Sequence, residues 1–172
     1  MADAPRQGVS AAPRGILPRV LQSWWAPRRV VRGMADMPDR AQLVVLMAAM
    51  LIFLLAQAPG HARAAALDPS VPLEARMGGA LMAVMFLMPL IAYGVAALVG
   101  GLMRLTRWRI EPRHSRLALF WALLAVAPAM LLAGLVGGLI GPGPALSLVQ
   151  AVAGIGFLMI WGAGISALAV KA

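Results

Sequence analysis

One long uncharged stretch constrains the fold of this chain more than any other feature. Leu117 to Ile140 form twenty-four consecutive residues without a charge, between Arg113-His-Ser-Arg116 and Gly141-Pro-Gly-Pro144. About 20 such residues, as a helix, cross a bilayer core of about 30 Å. The arginines should lie at one membrane boundary with Trp121 a turn inside, at headgroup depth, and the Gly-Pro turn should end the helix. The sequence therefore predicts an integral membrane protein.

Composition supports this reading and removes several functional classes. The chain has 172 residues, of which 62% are hydrophobic and 12% charged, whereas about a quarter of the residues in soluble domains are charged. The absence of cysteine excludes disulfides, thiolate catalysis and cysteine-ligated metal clusters. The net charge of +9 comes from basic residues outside the apolar stretches, where they serve orientation and headgroup contact rather than nucleic-acid binding.

Four uncharged stretches predict an all-α membrane protein with four transmembrane helices, preceded by amphipathic interfacial helices. The predicted spans are residues 41–58, 77–103, 117–140 and 146–170, within a membrane domain of residues 39–172. Residues 61–76 are predicted to form an outer loop. Seven arginines precede the first span, and five lie between the second and third. Because basic residues favour the cytoplasmic side, we expect both termini there. The abundance of Arg, Ala and Gly suggests a bacterial inner membrane.

The amino-terminal segment predicts a membrane or partner contact. Residues 1–15 read as a disordered cytoplasmic tail, and residues 16–38 as an amphipathic basic arm of two short helices, the second beginning at Pro27. Such helices lie in the interface plane, with arginines toward anionic headgroups; docking to a partner protein is the alternative. The predicted contacts in the arm and the middle loop are Trp24, Trp25, Arg28, Arg29, Arg32, Arg107, Trp108 and Arg109.

Small residues and prolines inside the spans predict how the helices pack. Helices in lipid approach closely through small residues, and the spacing of glycines and alanines favours Gly100, Gly134, Gly138 and Gly162 as packing positions. They predict a compact bundle, with homodimerisation as the alternative. Pro89 and Pro128 predict helix kinks. A broken helix can line a transporter path, and Tyr93 is the one polar residue near Pro89.

Residues able to carry out a reaction are scarce. The four predicted spans contain no Asp, Glu, Lys, Arg or His, which disfavours proton relays and ion pathways. His61 and His114 are predicted on opposite sides of the membrane and cannot share a metal. His61, Asp68 and Glu74 share the predicted outer loop, but no nucleophile or ligand spacing accompanies them. We therefore expect no enzyme, no metal and no cofactor.

Several motifs resemble bacterial members of the Yip family, small multipass proteins of the Ypt/Rab-interacting type. The resemblance covers about residues 28–170. It rests on Ala26-Pro-Arg-Arg-Val-Val-Arg32, Leu67-Asp-Pro69, Met77-Gly-Gly-Ala-Leu81, Ser115-Arg-Leu-Ala-Leu-Phe-Trp-Ala122 and Leu139-Ile-Gly-Pro-Gly-Pro-Ala-Leu146. It implies a cytoplasmic amino-terminal segment, a helical membrane domain and a non-enzymatic role. Four predicted spans differ from the five usual in that family, and its GTPase partners do not carry over to a bacterium.

Together these observations predict a non-catalytic scaffold or membrane-organising protein. Its expected partners are anionic lipid headgroups and either a membrane-protein partner or a second copy of the chain, with no nucleic acid. Two alternatives stay open: a small transporter or channel, and an accessory subunit of a respiratory or photosynthetic complex.

Overall fold

A computed structural model describes residues 15–171 of the chain, so the predicted disorder of residues 1–15 lies almost wholly outside the described residues. Four helical segments within this range are long and apolar enough to cross a membrane: 39–67, 73–103, 112–139 and 144–168. This confirms the predicted all-α membrane fold. The described helices are α1 (Ile16–Gln22), α2 (Pro27–Arg32), α3 (Asp39–Leu67), α4 (Leu73–Met82), α5 (Met88–Met103), α6 (Pro112–Leu139) and α7 (Pro144–Leu168).

Two smaller elements complete the described architecture. A π-helical segment, Ala83–Leu87, joins α4 to α5 as one continuous rod. The segment includes Met85. Pro89, four residues later, has no N–H to donate to the Met85 carbonyl, so the regular helical hydrogen bond is missing here. Strands β1 (Trp108–Arg109) and β2 (Val170–Lys171) pair antiparallel, with Trp108 opposite Lys171. The end of the chain is thus joined to the α5–α6 loop.

The first long helix corrects the predicted outer loop. The helix continues through Pro59 to Leu67 instead of ending near residue 58, so most of the predicted loop 61–76 is helical. Pro59 removes one helical hydrogen bond. Its close packing against Gly138 of α6 compensates for this loss, and a Cβ on residue 138 would overlap Pro59. The alanine-rich sequence that follows favours helix. His61 and Arg63 therefore belong to α3 and not to a loop.

The other spans begin earlier than predicted, and prolines explain two of these starts. Pro112 and Pro144 occupy the first helical positions of α6 and α7, where a missing N–H costs nothing. The turn between these helices contains Gly141 at φ +94°, a conformation that glycine adopts without steric cost.

Helix α6 is the centre of the bundle and packs on α3, α5, α7 and the arm. Its Gly134 and Gly138 lie against the α3 backbone at Ala56 and Pro59, where any Cβ would overlap, as expected for packing in lipid. Gly100 is buried beside Ser115.

Gly162 differs from the prediction. It is exposed and has open space around it, whereas Gly164 packs on Ala118 and Val31. The two glycines are separated by about half a helical turn and so face opposite sides of α7, and sequence spacing cannot say which of them faces inward.

Candidate functional site: the basic end and the inserted arm

Basic side chains gather at one end of the bundle, which we call the basic end. Helices α3 and α6 start there and α5 and α7 finish there, because Arg116 pairs with Asp39 at 2.9 Å and β1 pairs with β2. Ten described basic residues stand there against three acidic ones, a formal excess of seven positive charges. The basic residues are Arg28, Arg29, Arg32, Arg40, Arg104, Arg107, Arg109, Arg113, Arg116 and Lys171, and the acidic ones are Asp36, Asp39 and Glu111.

The other end of the bundle is balanced. Among its described residues, Arg63 and Arg76 stand against Asp68 and Glu74. Asp68 accepts hydrogen bonds from the Ser70 hydroxyl at 2.6 Å and from Arg76 at 3.3 Å. The Ser70 hydroxyl and backbone N–H, with Arg76 nearby, lower the pKa of Asp68 below its ordinary value. Asp68 is therefore engaged by its own loop, and His61 lies on α3 instead of beside it.

The arm does not lie flat at the interface as predicted, because Trp24 enters the bundle. Its indole N–H donates to the Ala125 carbonyl at 3.1 Å, and its ring packs on Gly156, where a Cβ would lie 2.6 Å from the ring. Ala125 and Gly156 are near the midpoints of α6 and α7. At 1.5 Å per residue they lie about 20 Å from either helix end. Trp24 is therefore a packing residue at mid-bundle depth, where it cannot contact headgroups.

A buried hydrogen-bond chain holds the arm in place. The indole N–H of Trp121 donates to the Ser23 hydroxyl at 2.8 Å, and this hydroxyl donates to the Arg19 carbonyl at 2.7 Å. Ser23 and Trp121 are 0% and 1% exposed, so Trp121 packs inside the bundle and does not face the membrane. A buried indole usually finds an acceptor. Sequence reasoning missed Ser23 because a lone serine beside two tryptophans carries no distinctive signal.

Helix α2 returns from this depth to the basic end. Val31 is fully buried and packs near Gly164, and Arg32 donates to the Ala167 carbonyl at 3.4 Å. Later residues of α2 therefore contact later residues of α7, so the two helices run in the same direction. The arm therefore forms a wedge inside the bundle, and irregular backbone at this depth is tolerated in a membrane when it is covered by protein.

The remaining predicted contact residues lie on the surface, and all of them except Trp25 belong to the basic end. Trp25 and Trp108 are 72% and 51% exposed. Arg28, Arg29, Arg107 and Arg109 are exposed too, and none of their side chains forms an ion pair or a hydrogen bond within residues 15–171. These guanidinium groups are available to an external anion.

Two cavities open among these residues. One, of about 560 Å³, lies between α5 and α7, with Arg28 as the charged residue in a largely apolar lining that includes Trp108, Gly162 and Ile165. Helices α5 and α7 both pack on α6 and not on each other, which leaves this groove open. The other, of about 630 Å³, lies beside the strand pair and is lined by Arg104, Arg109, Glu111 and His114 among others.

Of the predicted transporter path, Tyr93 makes a packing contact. Tyr93 packs edge-on against the buried ring of Phe120, with centroids 5.0 Å apart. Pro128 lies within α6 and is exposed. Within residues 15–171, no three His, Cys, Asp or Glu side chains stand close enough to hold a metal ion.

Comparisons with known proteins leave the family open, and the resemblance to the Yip family stays a prediction. Neither a protein-family model, nor a curated protein, nor a solved structure matches the chain.

Proposed function

We propose that this protein is a non-catalytic, membrane-organising protein that binds anionic lipid headgroups at its basic end. The observation that carries the proposal is the excess of seven positive charges at one end of the described bundle, against a balanced opposite end. In this proposal the basic end faces the cytoplasm of a bacterium, because basic residues are retained there. The anionic lipids of that leaflet are then within reach.

The groove between α5 and α7 supports binding of individual lipids. Arg28 supplies an unpaired guanidinium, which matches the geometry of a phosphate. The apolar wall beside Gly162 and Ile165 accommodates an acyl chain that runs toward the bundle centre. Because Gly162 has open space around it, this acyl chain can approach the backbone of α7. Exposed Trp108, at the rim, has the composition of a membrane-boundary residue.

The electrostatic attraction of the basic end is strong enough for the protein to bind anionic lipids in preference to zwitterionic ones. Each arginine near an anionic leaflet contributes about 1 kcal/mol. Several exposed, unpaired arginines at the basic end therefore favour anionic over zwitterionic lipid, and salt should weaken this preference. The inserted arm fixes the backbone of Arg28 and Arg29, so only their side chains have to be ordered on binding, which costs less entropy.

Lipid binding can be tested on the full-length protein in detergent. Native mass spectrometry after addition of phosphatidylglycerol or phosphatidylcholine should show preferential retention of phosphatidylglycerol. Arg28→Gln should lower the number of retained phosphatidylglycerol molecules. Arg76→Gln, which removes the same charge from the opposite end, is the matched control and should leave retention unchanged. Equal retention of both lipids, or equal loss in the two variants, would contradict the proposal.

Orientation requires a separate experiment. Because the chain contains no cysteine, single cysteines can be introduced at Leu105 and Ser70, both of which are exposed and at opposite ends. In intact bacterial cells, a membrane-impermeant thiol reagent should label Ser70→Cys and not Leu105→Cys. Labelling of Leu105→Cys alone would place the basic end outside and overturn the proposed orientation.

A further inference from the structure

A cleft with a polar lining lies at the end of the bundle opposite the basic end. Helices α3 and α7 both pack on α6 and not on each other, so a space of about 280 Å³ remains between them. Ala133, Gly134 and Gly137 of α6 line its floor, while Gln57 and His61 of α3 face Gln150 of α7. It is the convergence of these polar side chains that distinguishes this cleft from the apolar surface around it.

The polar groups in this cleft have unused hydrogen-bonding capacity. The Nε2 atom of His61 is buried and has no hydrogen-bond partner within residues 15–171. Gln57 donates one amide hydrogen to the Phe53 carbonyl at 3.3 Å, which leaves its second amide hydrogen and its oxygen. Gln150 makes no side-chain hydrogen bond to a described residue. Buried polar groups are normally paired, so an orphaned imidazole nitrogen beside a cavity points to a ligand.

The position and charge of the cleft restrict that ligand. The cleft extends from Gly137, two residues before the end of α6, inward to Met130. This places it where the hydrocarbon core meets the headgroup region. No charged side chain lines it. Nearby Arg63 is turned to the end of α6, where it reaches the Gly138 and Leu139 carbonyls at 3.5 Å. The cleft thus offers hydrogen bonds without charge, which suits a neutral polar group better than a phosphate.

We propose that this cleft binds the carbonyl-bearing end of a neutral, lipid-soluble molecule. The imidazole of His61 and the amides of Gln57 and Gln150 donate hydrogen bonds to the oxygen atoms at this end of the ligand, while the apolar tail leaves between α3 and α7 into the bilayer. The volume accommodates a single ring or a glycerol ester, somewhat below the range of drug-sized pockets. A quinone ring and the ester group of a diacylglycerol are the two sources of this chemistry.

Titration of the full-length protein in detergent tests the proposal with two probes. Decylubiquinone and dioctanoylglycerol are added in separate calorimetric titrations, and the probe that binds identifies the source of the carbonyl. His61→Ala and Gln150→Leu should each weaken binding about tenfold, as expected for the loss of one hydrogen bond. Gln150 is exposed, so Gln150→Leu leaves the fold intact if His61→Ala does not. His114→Ala, at the basic end, is the matched control and should bind like the unmodified protein.

Three results would overturn the inference. The first is that neither probe binds; the second is that one binds but Gln150→Leu binds it equally well. The third is that Gln150→Cys forms disulfide-linked dimers in membranes, which would assign the cleft to a second copy of the chain. These outcomes do not bear on the basic end, because retention of phosphatidylglycerol is measured at the other side of the membrane.

Discussion

The two ends of this bundle differ in charge and in how their residues are used. At the basic end, the exposed side chains of Arg28, Arg29, Arg107 and Arg109 lack partners, while the adjoining arm is fixed between α6 and α7. At the opposite end the charges balance, Asp68 is bound by its own loop, and a neutral cleft contains His61. The comparison teaches that one helical bundle can present a charged surface for anionic groups on one side and a hydrogen-bonding pocket on the other. Four changes test how each end is held together.

The largest effect is expected from Gly138→Leu, near the balanced end. Its side chain would overlap Pro59 of α3, and close backbone packing cannot be replaced by lipid contacts. We expect loss of monodisperse folded protein on size-exclusion chromatography in detergent. Gly162→Leu, made in open space on α7, is the control and should elute normally; identical behaviour of the two variants would refute the α3–α6 contact.

A smaller but substantial effect is expected from Trp24→Ala, which removes the wedge beneath the basic end. The loss of a buried aromatic side chain costs about 3–5 kcal/mol, and the empty space beside Gly156 should release the arm. Trypsin should then cleave at Arg28 or Arg29 faster than in the unmodified protein. Trp25→Ala, which changes an exposed ring, should leave the cleavage rate unchanged. Equal rates for both variants would show that the arm is not held by Trp24.

The buried hydrogen-bond chain gives a third, moderate effect. Ser23→Ala leaves the Trp121 indole N–H without an acceptor, which costs about 1–3 kcal/mol for a buried donor. The midpoint of thermal unfolding in detergent should fall. Trp121→Phe in the same background removes the orphaned donor, so the double variant should lose less stability than the sum of the two single changes. Additive losses would indicate that the two side chains do not interact.

The smallest effect concerns Asp68 in the exposed loop at the balanced end. Its pKa is lowered in the folded protein, chiefly by Ser70. Its stabilisation is therefore complete above the ordinary pKa of an aspartate and is lost as pH falls through the lowered value. Asp68→Asn should therefore cause a small loss of thermal stability at neutral pH, and this difference from the unmodified protein should disappear as the pH falls. An unaltered acid profile would mean that the Ser70 contacts do not persist in solution.

The sequence predicted which basic residues gather at one end of the bundle, but it did not predict how deeply the arm enters the bundle. The grouping of Arg28, Arg29, Arg107 and Arg109 follows from their positions outside the spans, since four antiparallel helices bring these segments to one end. The insertion of Trp24 does not follow, because an amphipathic helix that lies on a membrane and one that packs into a bundle share the same spacing of apolar residues. Gly156, which makes room for Trp24, is one of many glycines on an apolar helix.

The cleft was missed for a different reason. The first predicted span ends at residue 58, which placed His61 in an outer loop. In the structure Pro59 is accommodated because Gly138 lets α6 approach it, and the helix carries His61 onward beside α6. A long-range contact thus overrides a local signal, as tertiary packing often does.

By itself the sequence determined that the chain is an all-α membrane protein with four spans, because uninterrupted apolar length and the absence of water leave the backbone few alternatives to helix. Only the tertiary structure decided that the arm enters the bundle, that α3 continues past Pro59 and that Gln57, His61 and Gln150 share one cleft. The physical reason is that lipid and protein interiors are equally apolar, so hydrophobicity cannot tell which face of a helix meets another helix. Shape decides that, through glycines such as Gly134, Gly138 and Gly156 whose neighbours lie far away in the sequence.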